Sequence, residues 1–109
     1  MAYDENLEGR IDELTADWGL GKKKMFGGLG YFVNGNMSFG IHKDELIVRA
    51  TEELGKELLK QSGMRLFDIM KGRTMKTWFI AGGKAIADDK SLRELLETGR
   101  DYALGLPPK

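Results

Sequence analysis

The sequence predicts an α+β domain: three helices and a five-stranded antiparallel sheet in the order α-β-β-β-α-β-β-α, with the helices packed on one face. Three observations carry this. Two stretches with helical apolar spacing frame the chain, near residues 4–17 and 89–106. Between them, aromatic and β-branched runs are separated by turn residues, Asn34-Gly35 foremost. The connections within the first three strands are too short for the crossovers that parallel pairing needs, so the sheet is antiparallel with helices as a second layer.

Leu7, Ile11, Leu14 and Trp18 recur at steps of four, three and four, which places them on one stripe of a helix from about Asp4 to Asp17. Asp4 caps its start, acidic residues in the first turn suit the helix dipole, and Gly19 and Gly21 end the pattern. From Lys24 to Val33 the residues read as one strand, and Asn34-Gly35 tolerates the positive φ angles of a two-residue type I′ hairpin. On the return strand Met37, Phe39 and Ile41 share one face, with Asn36, Ser38 and Gly40 on the other. Glu45 to Arg49 forms a third strand after the turn His42-Lys43-Asp44.

Thr51 followed by Glu52 and Glu53 marks the start of a short helix, with Leu54, Leu58 and Leu59 as its apolar stripe up to about Gln61. Arg65–Ile69 and Met75–Ala81 read as the last two strands, joined by Lys71-Gly72-Arg73-Thr74 and closed by Gly82-Gly83. Asp88 or Asp89 caps the final helix, whose Leu92, Leu95, Leu96, Gly99, Tyr102, Ala103 and Leu106 lie on one side. Pro107-Pro108 stops it. Leu14, Trp18, Phe39, Val48, Leu95 and Tyr102 are the expected core.

A chain of 109 residues suits one domain spanning residues 1–109, and 41% hydrophobic with 31% charged residues supplies both a core and a solvated surface. There is no cysteine, so disulfides, thiolate metal sites and a cysteine nucleophile are excluded. The opening residues are acidic where a signal peptide is basic, and no apolar run approaches the roughly 18 residues that span a bilayer. A cytoplasmic protein without membrane contact is expected.

The zero net charge hides an uneven distribution. Residues 1–21 hold six acids against one base, residues 22–84 twelve bases against six acids, and residues 85–109 five acids against four bases. The middle is therefore basic and the first helix acidic.

No motif with a reaction survives inspection. Gly27-Gly28-Leu29-Gly30 has Val33 where a dinucleotide fingerprint needs its third glycine, and Gly21-Lys22 has Ala16 where a phosphate-binding loop needs its first. His42 stands alone without metal-ligand spacing, and Asp88-Asp89 is explained by helix capping. No serine or threonine has a nucleophile setting. The sequence thus predicts no enzyme and no catalytic, cofactor or metal site. The best candidates for contact with a partner or with nucleic acid are Lys23, Lys24, Arg49, Lys71, Arg73 and Lys76, with Tyr31, Phe32, Trp78 and Phe79 near them in sequence.

Several separate blocks occur in a recognisable order: Met1-Ala2-Tyr3-Asp4-Glu5, Lys24-Met25-Phe26-Gly27-Gly28, the Asn34-Gly35 hairpin, Gly72-Arg73-x-Met75-Lys76-x-Trp78 and Leu106-Pro107-Pro108-Lys109. Over nearly its whole length the chain resembles the N-terminal domain of the TfoX/Sxy family of bacterial competence regulators. That resemblance implies a secretion-chaperone-like architecture, a five-stranded antiparallel sheet backed by helices. It implies a regulatory role in transcription or competence, where full-length members carry a second domain and act with the cyclic-AMP receptor protein. It brings no catalytic residues. The expected function is a small regulatory or adaptor domain acting through protein contact, with a protein partner such as a transcription regulator and a homodimer as its assembly. Direct nucleic-acid binding by the basic surface is the alternative.

Overall fold

A computed structural model of the protein describes residues 3–25, 27–70 and 73–108, and their side chains except those of residues 68–70 and 73–75. The element order is α1 (Glu5–Leu14), β1 (Gly21–Met25), β2 (Gly28–Val33), β3 (Asn36–His42), β4 (Glu45–Arg49), α2 (Glu52–Leu58), β5 (Met64–Met70), β6 (Arg73–Ala81), a 3-10 turn (Gly83–Ile86) and α3 (Asp89–Leu104). One antiparallel sheet runs β1-β2-β3-β4-β6-β5. The α+β class is as the sequence predicts.

Six strands are present where five were expected. The stretch from Lys24 to Val33 is not one strand: at Gly27 the backbone takes φ +72°, and the chain doubles back so that Met25 lies opposite Gly28. An extended strand cannot pass through that conformation, which glycine adopts without the steric cost a Cβ brings. Lys22, Lys23 and Lys24 thereby form a strand of their own at the edge of the sheet. At the next turn Asn34 and Gly35, with φ of 52° and 81°, make the expected tight hairpin.

Each helix begins as its capping residue dictates. The Asp4 carboxylate accepts from the backbone N–H groups of Asn6 and Leu7, the Thr51 hydroxyl from that of Leu54, and the Asp88 carboxylate from that of Ser91. Asp88, not Asp89, caps α3.

The helices cover one face of the sheet. Leu7 and Ile11 of α1, Leu58 of α2 and Leu92, Leu95 and Leu96 of α3 pack on Leu29, Tyr31, Phe39, Ile41, Leu46, Val48 and Phe79. Alternation turns Ile47 and Ile80 to the opposite face, where they form a small second cluster with Phe67 and Trp78. Two helical glycines set the spacing of the layers. A Cβ at Gly55 would overlap the Phe79 ring, and one at Gly99 would overlap the Ser38 carbonyl.

Of the expected core, Phe39, Val48 and Leu95 are buried, whereas Leu14, Trp18 and Tyr102 are only half-buried. The last two rings each carry a guanidinium: Arg100 stands 4.4 Å over Trp18, and Arg49 stands 4.7 Å over Tyr102. Both aromatics sit at the rim of the core, with a cation covering one ring face.

Candidate interaction surface

The cations singled out by the sequence fall in different parts of the fold. Lys23 and Lys24 are exposed on β1. They point to opposite faces, Lys24 paired with Leu29 on the helix side and Lys23 with Gly30 on the other. Lys76 is exposed on β6. Arg73 pairs through its backbone with Met70 at the end of the β5–β6 hairpin, and Lys71 lies outside the described residues, as do Phe26 and Gly72 of the blocks that carry the resemblance. β1 and β6 are four strand steps apart, roughly 19 Å at the usual spacing between strands. Lys23 and Lys24 therefore do not share a patch with Lys76.

Lys22, the first lysine of the run, is taken up within the fold. Its Nζ lies 2.6 Å from Glu8 Oε2 and 2.8 Å from Asp12 Oδ2, both on α1. Partial burial works against its charge, but the hydrogen bonds to Asp12 and Glu8 outweigh that and hold its pKa above the usual lysine value. The Tyr31 hydroxyl donates to Asp12 Oδ1 at 2.9 Å, and the Tyr3 hydroxyl donates to Glu8 Oε1 at 3.2 Å. This network pins the acidic helix to β1 and β2. Asp12, Lys22 and Tyr31 also line an open hollow of about 260 Å³ beside the end of α1, with their polar atoms already paired to each other or to Glu8.

Arg49 is also an internal group. Its guanidinium lies between two rings, 4.6 Å from the Trp78 centroid and 4.7 Å from that of Tyr102, while Nη1 donates to the Met37 carbonyl at 3.3 Å. Its buried Nε has no hydrogen-bond partner among the described residues. Such a stacked cation ties α3 to the ends of β3, β4 and β6, which a surface cation awaiting a ligand would not do.

The two edges of the sheet differ in chemistry. β1 carries three consecutive lysines, a charged guard against pairing with another strand. β5, at the opposite edge, has Arg65 as the one cation among its side-chain-described residues 64–67, and that cation is paired with an acid across the sheet. Both terminal nitrogens of Arg65 bind Glu45 on β4, at 2.7 and 2.6 Å. The bridge passes the end of β6 beside Gly82, where a side chain would meet the Glu45 carboxylate.

Leu66 beside it is 37% exposed, and Leu54 of α2 is 43% exposed. The sequence placed Leu54 in the apolar stripe of α2. Gly55 instead takes the contact with Phe79, the cross-strand partner of Leu66, and Leu54 is left exposed. The one sequence signal that separated Leu54 from Leu58 was the missing side chain at Gly55.

Among the described residues no group of three or more His, Asp and Glu is placed to hold a metal ion, and no helix is long and apolar enough to cross a membrane. No match was found among curated proteins or among solved structures. The family model of the TfoX N-terminal domain matches residues 13–102, which takes in all six strands, α2 and most of α3. These domains form a regulatory family and are not a known enzyme family. With a match over 90 of its 109 residues, the chain belongs to the TfoX N-terminal domain family.

Proposed function

We propose that this TfoX-like regulatory module acts as an adaptor through protein contact, and that the β5–α2 edge is the contact surface. The observation that carries the reading is the contrast between the two sheet edges: three lysines line β1, whereas residues 64–67 of β5 carry one cation, bound to Glu45, beside the exposed Leu66. The family supports transcription or competence as the setting, with a transcription regulator as the kind of partner. A cytoplasmic setting accords with the absence of cysteine.

Charge supports protein over nucleic acid. The chain is neutral overall, its acidic α1 neutralises Lys22, and Arg49 is stacked between two rings. A polyanion meets no single cationic stripe built from Lys23, Lys24 and Lys76.

Titration of fluorescent duplex DNA and single-stranded RNA at several salt concentrations tests this reading. The expected result is weak binding at low salt that vanishes at physiological salt, since each phosphate contact contributes about one unit to the salt slope. Tight binding that survives physiological salt, and is abolished by Lys23→Ala with Lys24→Ala or by Arg73→Ala with Lys76→Ala, would overturn it.

A further inference from the structure

We infer that β5 pairs with β5 of a second copy of this chain, antiparallel about a two-fold axis at Leu66; this identifies the first partner of the protein-contact edge and rests on that reading. β5 has one neighbour, β6, so its outer backbone N–H and C=O groups have no strand to pair with among the described residues. A two-fold axis normal to the sheet lets two such edges satisfy each other. It keeps the helical layers of both copies on one side and joins the two six-stranded sheets into one.

The side chains suit this occupant. In a register centred on Leu66, leucine opposes leucine and Arg65 opposes Phe67 of the second copy, so no like charges meet along residues 65–67. The alternative pairing of two β1 edges would set Lys23 against Lys23 and Lys22 against Lys24. The Arg65 guanidinium remains bound to Glu45 on the other side of β6. Zero net charge on each chain removes long-range repulsion between copies.

The cysteine-free sequence makes the geometry directly measurable. Residues directly opposed in an antiparallel pair have Cα atoms about 4.5–5.5 Å apart, inside the range a disulfide spans. Under mild oxidation Leu66→Cys is expected to form a covalent dimer while Lys23→Cys stays monomeric. Light scattering of the unmodified chain should give twice the monomer mass of 12.2 kDa, and Leu66→Lys should return it to that mass.

Unchanged circular dichroism would show that Leu66→Lys is folded. Should that variant unfold, the two cysteine variants decide by themselves. A monomeric mass for the unmodified chain across a wide concentration range, or equal cross-linking of Leu66→Cys and Lys23→Cys, would overturn self-pairing. A monomer whose Leu66→Lys variant loses a protein held by the unmodified chain overturns self-pairing alone. A monomer that binds DNA through Lys23 and Lys24 overturns the protein-contact reading as well.

Discussion

Arg65 reaches across β6 to grip both carboxylate oxygens of Glu45, Nη1 to Oε2 at 2.7 Å and Nη2 to Oε1 at 2.6 Å. Gly82, the residue after the end of β6, has no side chain and leaves room for the carboxylate in this position. The same contact pairs the one cation of β5 residues 64–67 with a carboxylate two strands away.

Acid should weaken this contact in a defined direction. The Arg65 hydrogen bonds hold the Glu45 carboxyl below the usual glutamate range. A depressed folded-state pKa gives stability that is present above the unfolded value and lost as pH falls through the folded one. Arg65 is more than half exposed, so solvent screening limits the contribution to about 0.5–1 kcal/mol. Glu45→Gln and Gly82→Ala should each lose about that much at pH 7 and flatten the fall in stability below the glutamate range. Urea unfolding at pH 7 and in acid checks this; an unaltered acid limb in both variants would contradict it.

Gly55→Ala sets helix propensity against packing. Alanine gains about 1 kcal/mol over glycine in a helix interior, but its methyl would overlap the ring of Phe79, which is fully buried and cannot swing into solvent. Overpacking of this kind costs about 1–3 kcal/mol, so a net destabilisation is expected in chemical denaturation. A stabilised variant would mean that α2 does not rest on Phe79.

Arg49→Lys keeps the charge and removes the planar group that lies between Trp78 and Tyr102. A loss of about 1–2 kcal/mol is expected from the two stacked contacts and the hydrogen bond to Met37. With Trp18→Phe as background, the remaining Trp78 emission should shift to the red. Because Arg49 is an internal group, any residual affinity for nucleic acid should be unchanged.

Local features of the fold were legible in the sequence because they depend on near neighbours. Asp4, Thr51 and Asp88 cap helices through bonds two or three residues away, and Asn34-Gly35 carries its turn in two adjacent residues. β1 was hidden because three lysines in a row lack the alternation and the β-branched side chains by which a strand is read. Gly27 was read as a residue within a strand, since glycines there serve a bulge as readily as a turn. The edge surface was less legible still. Glu45 and Arg65 are 20 positions apart, and only the order β4-β6-β5 brings them together. Arg49 looked like a surface cation because Tyr102, the ring on its other side, comes from the last helix.

Alkaline titration reports on the α1 network. Burial, and then the hydrogen bond to Asp12, raise the Tyr31 pKa far above the usual tyrosine value of 10.0. A group with a raised folded-state pKa contributes stability that is fully present below the unfolded value and declines as pH rises above it. Tyrosinate absorbance of Tyr31 should therefore appear only as the protein unfolds. Tyr31→Phe should retain more of its neutral-pH stability in alkali. A Tyr31 that ionises near pH 10.0 in the folded protein would show that α1 does not seal β2.

Contact through the β5 edge is tested most directly by quantitative capture from a nuclease-treated lysate of the cells that make the protein, with three baits compared: the unmodified chain, Leu66→Lys, and Lys23→Ala with Lys24→Ala. The expected result is that Leu66→Lys loses the proteins the unmodified chain retains, while the double lysine variant keeps them. Loss of bound proteins by the lysine variant, with full retention by Leu66→Lys, would place the contact on the β1 edge and contradict the assignment to β5.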